Sequence, residues 1–285
     1  MTPIPLWVEP CAGSLAVGLR LLGLPRLVGW MGGKGGYADA ILHALHLQPR
    51  QGAREIWLAD VSDWSFCWEA LAQPGVAHRA ADLIDEWRTC YGVASPRQVR
   101  ALWDDLRPRW RAEGTPPDAE GAARWLVLVA VSAMNHGPDA GPRFNPDQRF
   151  RCHADGAALE GAMYDKIPAR LRRWPAAGAP LRIWRDARAI PPAPGVVLLD
   201  PPYDRTQGYE AGDLPRSEVL ALADRWTAAD ATVAICEHDP IPGWRSVDLT
   251  AARVGGGRTV TRRTDEWLSV RGVEPRRPVA QLGLL

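Results

Sequence analysis

Apolar and polar positions along the chain follow two alternating periods. Leu6 to Val8 is a short apolar run that stops at Glu9-Pro10. Residues 14–22 then place Leu15, Leu19 and Leu22 on one helical face. The pattern predicts a strand, a glycine-containing turn and a helix. Residues 29–36 read GWMGGKGG, too rich in glycine for an element interior, so a loop is expected. Ala38 to Leu47 returns to helical spacing, and Glu55 to Ala59 predicts a second strand ending at Asp60.

Residues 64–135 are mostly helical in pattern, with breaks at Ser95-Pro96 and at Gly114-Thr115-Pro116-Pro117. Trp87, Trp103, Trp110 and Trp125 recur through this stretch and are expected to pack it. Residues 136–151 have little periodicity and read as a long loop or irregular hairpin. Strand signals resume at Leu181 to Trp184, which ends at Arg185-Asp186. Val196 to Leu199 is an uninterrupted apolar run between turn residues, the mark of a strand buried on both faces of a parallel sheet. Ser217 to Trp226 predicts an amphipathic helix, and Ala231 to Cys236 and Glu266 to Val270 predict the last strands.

Strands alternate with helices in the first and last thirds. The expected fold class is therefore α/β, a doubly wound, mostly parallel sheet with an inserted, mainly helical module. Residues 1–63 and 152–270 form the expected discontinuous sheet domain, 64–151 the insertion and 271–285 a C-terminal tail. Sheets of this kind bind ligands at the carboxyl ends of their strands. Glu9, Asp60, Asp186 and Asp200 all fall at predicted strand ends.

Composition narrows the possibilities. Hydrophobic residues make up 46% of the 285, enough for a full core. The formal net charge is only +1, so any nucleic-acid contact must come from a local patch. Lys34 and Lys166 are the only lysines; the other basic residues are arginines. Five cysteines without a C-x-x-C pair argue against a zinc site or a disulfide framework. No metal is expected. The longest apolar run, Trp125 to Ala133, is too short to span a bilayer, and the N-terminus lacks a signal-peptide pattern. No membrane association and a cytoplasmic location are the expectations.

The chemistry centres on Asp200-Pro201-Pro202-Tyr203. These four residues arise in order by composition with a probability on the order of one in a thousand, before the buried strand ahead of them is considered. An aromatic exocyclic amine is a poor nucleophile, because its lone pair is conjugated with the ring. Methylation requires the nitrogen to pyramidalise, and acceptors aimed at its hydrogens favour that geometry. The Asp200 carboxylate and the Pro201 carbonyl are the candidate acceptors, and Tyr203 is a flat stacking face for a base taken out of its duplex.

The segment VLLDPPYD resembles the catalytic motif of the amino-methyltransferases of DNA, specifically the Dam-type (D12 class) adenine-N6 branch. VEPCAGSLAVGL resembles that family's first cofactor motif, E-P-x-x-G. GWMGGKGGYADAIL resembles its W-x-G-G-K motif, IWLADVSD its second-strand acidic motif, IWRDAR the segment that meets the cofactor adenine, and VAICEHD with DEWLSV its closing strands. The resemblance covers most of residues 6–60 and 181–270. It implies a Rossmann-like class I methyltransferase fold and S-adenosyl-L-methionine as cofactor. The implied cofactor residues are Glu9, Pro10, Cys11, Ala12 and Gly13, with Trp30, Gly33, Lys34, Asp60 and Asp186. In the family the W-x-G-G-K motif precedes E-P-x-x-G, whereas here it follows.

The resemblance also makes residues 64–151 the target-recognition region. AMNHGPDAGPRFNP loosely resembles the family segment near the target base, which makes Asn135, Arg143 and Asn145 candidate nucleic-acid contacts. Arg258, in the basic loop GGGRTVTRR, is a candidate phosphate contact. The expected activity is methyl transfer to adenine N6 in double-stranded DNA with the base flipped out. Cytosine-N4 methylation and an inactive nucleic-acid-binding relative are the alternatives. The sequence leaves the oligomeric state open, with a monomer as the working expectation.

Overall fold

The computed structural model describes residues 2–28, 33–92, 96–131, 166–201, 214–252 and 265–272. Seven strands form one sheet: β1 (Ile4–Glu9), β2 (Ala53–Ala59), β3 (Leu181–Trp184), β4 (Val196–Leu199), β5 (Thr232–Glu237), β6 (Arg245–Asp248) and β7 (Trp267–Arg271). Their order is β3-β2-β1-β4-β5-β7-β6. The first five are parallel, and β7 runs antiparallel between β5 and β6. The sheet is thus doubly wound and mostly parallel, as the apolar runs predict.

The helices among the described residues are α1 (Ala16–Leu22), α2 (Ala38–Ala44), α3 (Trp64–Ala72), α4 (Val76–Tyr91), α5 (Pro96–Glu113), α6 (Ala119–Val131), α7 (Ile167–Leu171) and α8 (Arg216–Thr227). Period-2 alternation in the strands divides the apolar residues between two cores. Leu6, Val8, Val197, Leu199, Val233 and Ile235 pack with Val219, Leu222 and Trp226 of α8 on one face. Trp7, Leu198, Ala234 and Cys236 pack on the other, with α1, α2 and the helices of residues 64–131. All six residues of β5 are buried, the pattern of a central strand covered on both sides.

The helices of the middle region share the second core with the sheet. Every residue of α6 from Gly121 to Val131 is buried. Fully burying a leucine or valine there contributes roughly 1.5–3 kcal/mol over leaving it exposed. The expected tryptophan packing forms around α3. Trp64 stacks on Trp68 at 5.3 Å, Trp125 meets Trp64 edge-on at 5.9 Å, Trp110 lies 6.3 Å from Trp125, and Trp174 stacks on Trp68 at 6.1 Å. Trp103 is buried in the same core, and Trp87 packs partly buried against it.

Strand β6 is absent from the apolar pattern. Its segment, Arg245–Asp248, has Val247 as its one apolar residue and lies at the sheet edge with its terminal residues exposed. An edge strand paired on one side needs no continuous apolar run.

Candidate active site at the carboxyl edge of the sheet

The strand order reverses at β1, which has β2 on one side and β4 on the other. The crevice beyond the carboxyl ends at such a switch point is where open α/β sheets bind ligands. Trp7 pairs with Val196 and Val8 with Val197, so Glu9 and Asp200 leave adjacent strands at this crevice. Asp60 follows β2, Asp186 follows β3 and Glu237 ends β5. The acidic residues expected at one sheet edge do stand there.

The turn after β1 is fixed by its neighbours. Gly13 has φ 45° and Leu15 has φ 50°, so two of three successive residues are left-handed, one of them not glycine. Such conformations persist only where surrounding contacts hold them. The Gly13 N–H donates to Asp60 Oδ2 at 2.7 Å, and the Ala12 N–H donates to the Ala59 carbonyl at 3.0 Å. The Trp68 indole donates to the Gly13 carbonyl at 2.8 Å. Asp60 Oδ1 accepts the Ser62 N–H at 2.8 Å and the Ser62 hydroxyl. With three of its roughly four lone-pair sites used, Asp60 ties the turn to the end of β2 and keeps one site open. Burial raises its pKa, against the lowering effect of these hydrogen bonds.

Glu9 is buried. Its Oε1 accepts the Trp7 indole N–H at 2.7 Å and the Gly18 N–H of α1 at 2.6 Å. Burial raises its pKa to about 7, and the charge of Asp200 adds to the rise. The Cys11 thiol is pushed far above its ordinary range by burial and then by the charges of Asp60 and Asp200. Negative potential therefore concentrates at the turn. Pro10 and Ala12 are buried within it.

Lys34 opens a 3-10 turn at Lys34–Gly36 and is only 6% exposed. Its Nζ lies 2.8 Å from Asp200 Oδ1 and 3.4 Å from Glu266 Oε1. Burial works against its charge, but the carboxylates outweigh burial and raise its pKa. Asp200 follows β4 with its side chain 21% exposed. Burial raises it to about 6, while the Lys34 ammonium restrains the rise. Among the described residues, Lys34 holds Oδ1 and leaves Oδ2 open for another donor. The glycine-lysine loop thus reaches the Asp-Pro-Pro motif although its place in the chain departs from the family order. Gly33 precedes it in extended conformation, and Pro201 is buried directly after Asp200.

Asp186 is more peripheral. It is 46% exposed, accepts the Arg188 N–H at 2.8 Å to cap a 3-10 turn, and pairs with the Arg188 guanidinium at 3.3 Å. Trp30, Pro202, Tyr203, Asn135, Arg143, Asn145 and Arg258 lie outside the described residues. The sequence reading did not single out Glu266, although it sits in the quoted DEWLSV segment. Nor did it single out Ser62 or Trp68, whose polar atoms complete the turn. His238, after β5, contacts the Asp265 carbonyl through Nδ1 at 2.9 Å.

No protein-family model matches the chain. Two curated tRNA dimethylallyltransferases of Cereibacter sphaeroides are similar in sequence. That of strain ATH 2.4.1 is 30% identical over 174 residues, 59% of this chain and 47% of the relative. That of strain ATH 2.4.9 is 29% identical over 223 residues, 76% and 57% of the two chains. The chain spans about half the length of these curated relatives. Among solved structures, two of the rRNA methyltransferase aviRa from Streptomyces viridochromogenes align with 94% and 95% of this chain and 76% and 77% of theirs. Their TM-scores are 0.32 and 0.33 at 18% and 19% identity. The fold assignment rests on the strand order, not on these superpositions. No described helix is long and apolar enough to cross a membrane.

Proposed function

We propose that this chain is an S-adenosylmethionine-dependent methyltransferase that methylates the N6 amino group of adenine in DNA. The observation that carries the reading is Asp200: a carboxylate at the switch-point crevice, heading Asp-Pro-Pro-Tyr, with one oxygen ion-paired to Lys34 and the other without a partner among the described residues. An amine placed there donates one hydrogen to Oδ2, and the Pro201 carbonyl is the partner for the second. These bonds favour the pyramidal nitrogen, whose lone pair is then available for attack. The amine would give up its proton through Asp200 as the carbon–nitrogen bond forms and the methyl carbon–sulfur bond breaks, the electron pair leaving on the cofactor's sulfur as a neutral thioether. Catalysis on this account is mainly positioning and polar stabilisation.

The residues around the crevice fit the cofactor's chemistry. S-adenosylmethionine supplies an electrophilic methyl group on a positively charged sulfur and carries an ammonium besides. The carboxylates of Asp60 and Asp200 beside the turn suit both cations. Glu9 and the Gly13 turn are assigned to the methionine part of the cofactor. Asp60, with its remaining acceptor site, is assigned to the ribose hydroxyls and Asp186 to the adenine side. Cytosine-N4 transfer uses the same geometry and ranks second among DNA bases, since that branch more often has serine where Asp200 stands.

A second reading keeps the site and changes the substrate to RNA. It draws on the likeness to two tRNA dimethylallyltransferases. The glycine-lysine loop does not meet the G-x-x-x-x-G-K-[ST] phosphate-loop pattern, because Val28 stands at the first glycine position and Gly35 follows the lysine. The burial of Lys34 against two carboxylates also argues against a triphosphate contact.

The test is incubation with methyl-tritiated S-adenosylmethionine and either unmethylated DNA or unmodified RNA, alongside calorimetry of cofactor binding. Label entering DNA supports the proposal. Label entering RNA alone replaces it with the second reading. Tight cofactor binding without transfer to either supports an inactive relative.

A further inference from the structure

A cavity of about 440 Å³ lies beside the site, and four arginines line it: Arg20, Arg26, Arg50 and Arg173. Asp39 is the single carboxylate on its wall, and it is engaged by Arg20 at 2.9 Å between Arg20 Nη2 and Asp39 Oδ2. Arg26, Arg50 and Arg173 form no ion pair with any described carboxylate. The other well-formed surface ion pairs, such as Arg100 with Asp104 or Arg172 with Asp85, show what an arginine with a partner looks like in this chain. Among the described residues, positive charge without a carboxylate partner is therefore concentrated in one place.

Two of these exposed arginines, Arg26 and Arg50, lie across glycines. An ideal Cβ on Gly35 would fall 2.0 Å from Arg26 Nη1, so the guanidinium crosses this position only because it is glycine. Arg50 has φ 66° in a non-glycine residue, and its N–H donates to the Arg20 carbonyl at 3.1 Å. Its aliphatic stem lies over Gly23. Arg170 donates to the Leu27 carbonyl at 2.6 Å and so ties down the segment that carries Arg26. The proximity of Arg26 contributes to a lowered Arg170 pKa, after burial, as expected for like charges brought together.

Two of the cavity's walls belong to segments that also carry crevice residues, whereas Arg50 precedes β2 near the amino ends of the strands. Gly35 and Gly36 line it and directly follow Lys34, which pairs with Asp200. Ala252 lines the other side, at the end of a 3-10 turn (Thr250–Ala252). The Thr250 hydroxyl in that turn accepts the N–H of Glu266, which also pairs with Lys34.

We propose that Arg26, Arg50 and Arg173 form a cleft that grips the phosphodiester backbone of the nucleic-acid substrate and thereby presents its target base to Asp200. The inference rests on the methyltransferase reading above and adds the surface that brings the substrate to that site. The guanidinium fork matches phosphate oxygens bidentately. Backbone contacts of this kind supply affinity and register without reading sequence.

The experiment is fluorescence anisotropy with a labelled DNA duplex and an RNA duplex of matching sequence, across a range of salt, with a competing arm of inorganic phosphate. Wild type is compared with Arg26→Ala, Arg50→Ala, Arg173→Ala and the triple variant. Melting temperature and calorimetric S-adenosylmethionine binding confirm that each variant is folded. The triple variant is expected to bind the preferred duplex roughly tenfold to hundredfold more weakly, with the salt slope reduced by about one per arginine. Cofactor affinity stays unchanged. An unaltered salt slope in the triple variant overturns the inference, as does a wild type that binds neither duplex or is displaced by millimolar phosphate alone. The two proposals fail separately. A wild type that methylates nucleic acid while the triple variant binds it normally sinks only the cleft. A wild type that transfers no methyl group while the triple variant loses binding sinks only the methyltransferase reading.

Discussion

Lys34 Nζ lies 2.8 Å from Asp200 Oδ1, and this pair joins the glycine loop before α2 to the end of β4. Its consequence is a half-buried carboxylate that remains ionised near neutrality. Burial alone raises Asp200 further, and the ammonium holds it at about 6. On the proposed mechanism the ionised form is the active one. kcat/KM for methyl transfer is therefore expected to rise with pH through about 6 and level off above. Lys34→Met removes the restraining charge, so the same limb moves to higher pH. A limb that stays in place in the variant contradicts the assignment of that ionisation to Asp200.

Asp200→Ala removes the open acceptor without touching the Gly13 turn. Transfer measured under single-turnover conditions is expected to fall by about 10² to 10⁴, the usual contribution of a group that handles a proton. Calorimetric affinity for S-adenosylmethionine should change little. A variant that keeps its rate shows that the amine is activated elsewhere.

Asp60 accepts three hydrogen bonds from Gly13 and Ser62. Asp60→Ala leaves those donors without their acceptor, and the fold is expected to lose about 1.5–3 kcal/mol in urea unfolding. Cofactor affinity should weaken as well, because the turn that faces the cofactor is no longer tied to β2. Full stability in the variant means that water or a rearranged Ser62 replaces the carboxylate, and the turn does not depend on it.

Glu9 has a folded pKa of about 7 against an ordinary 4.5. A raised folded pKa means that the native state holds its proton more tightly than the unfolded chain does. The stabilising contribution is complete below about 4.5 and is lost as pH rises through about 7. Between pH 5 and 8 the Glu9 share of that loss is about 2–3 kcal/mol. Glu9→Gln should therefore lose that much less stability than wild type over the interval, read by urea unfolding at both pH values. Equal losses in the two proteins mean that Glu9 does not titrate in this range.

Much of this arrangement is legible in the residues themselves. Val196 to Leu199 is apolar without a break because β4 is covered on both faces, and Asp200 follows because the buried run has to end at the crevice. Glu9, Asp60 and Asp186 were readable by the same rule. The jobs of Asp60 and Lys34 were not. Asp60 reads as a ribose ligand from its place after β2, yet most of its acceptor capacity goes to Gly13 and Ser62. Lys34 reads as a cofactor-site residue rather than a solvated loop tip, but only the folded chain sets it between Asp200 and Glu266. Ion pairs across such sequence separations leave no periodic trace. The arginine cleft is hidden for the same reason, since Arg20, Arg26, Arg50 and Arg173 are unremarkable individually and meet only in space. Strand β6 escaped because an exposed edge does not demand apolar residues.

The central claim is methyl transfer to an adenine amino group governed by Asp200. The most direct measurement is mass spectrometry of nucleosides released from unmethylated DNA after incubation with the protein and S-adenosylmethionine. The account predicts N6-methyladenine with the wild type and at least roughly a hundredfold less over the same time with Asp200→Ala. Methylcytosine in place of methyladenine, or the same N6-methyladenine yield from both proteins, contradicts it.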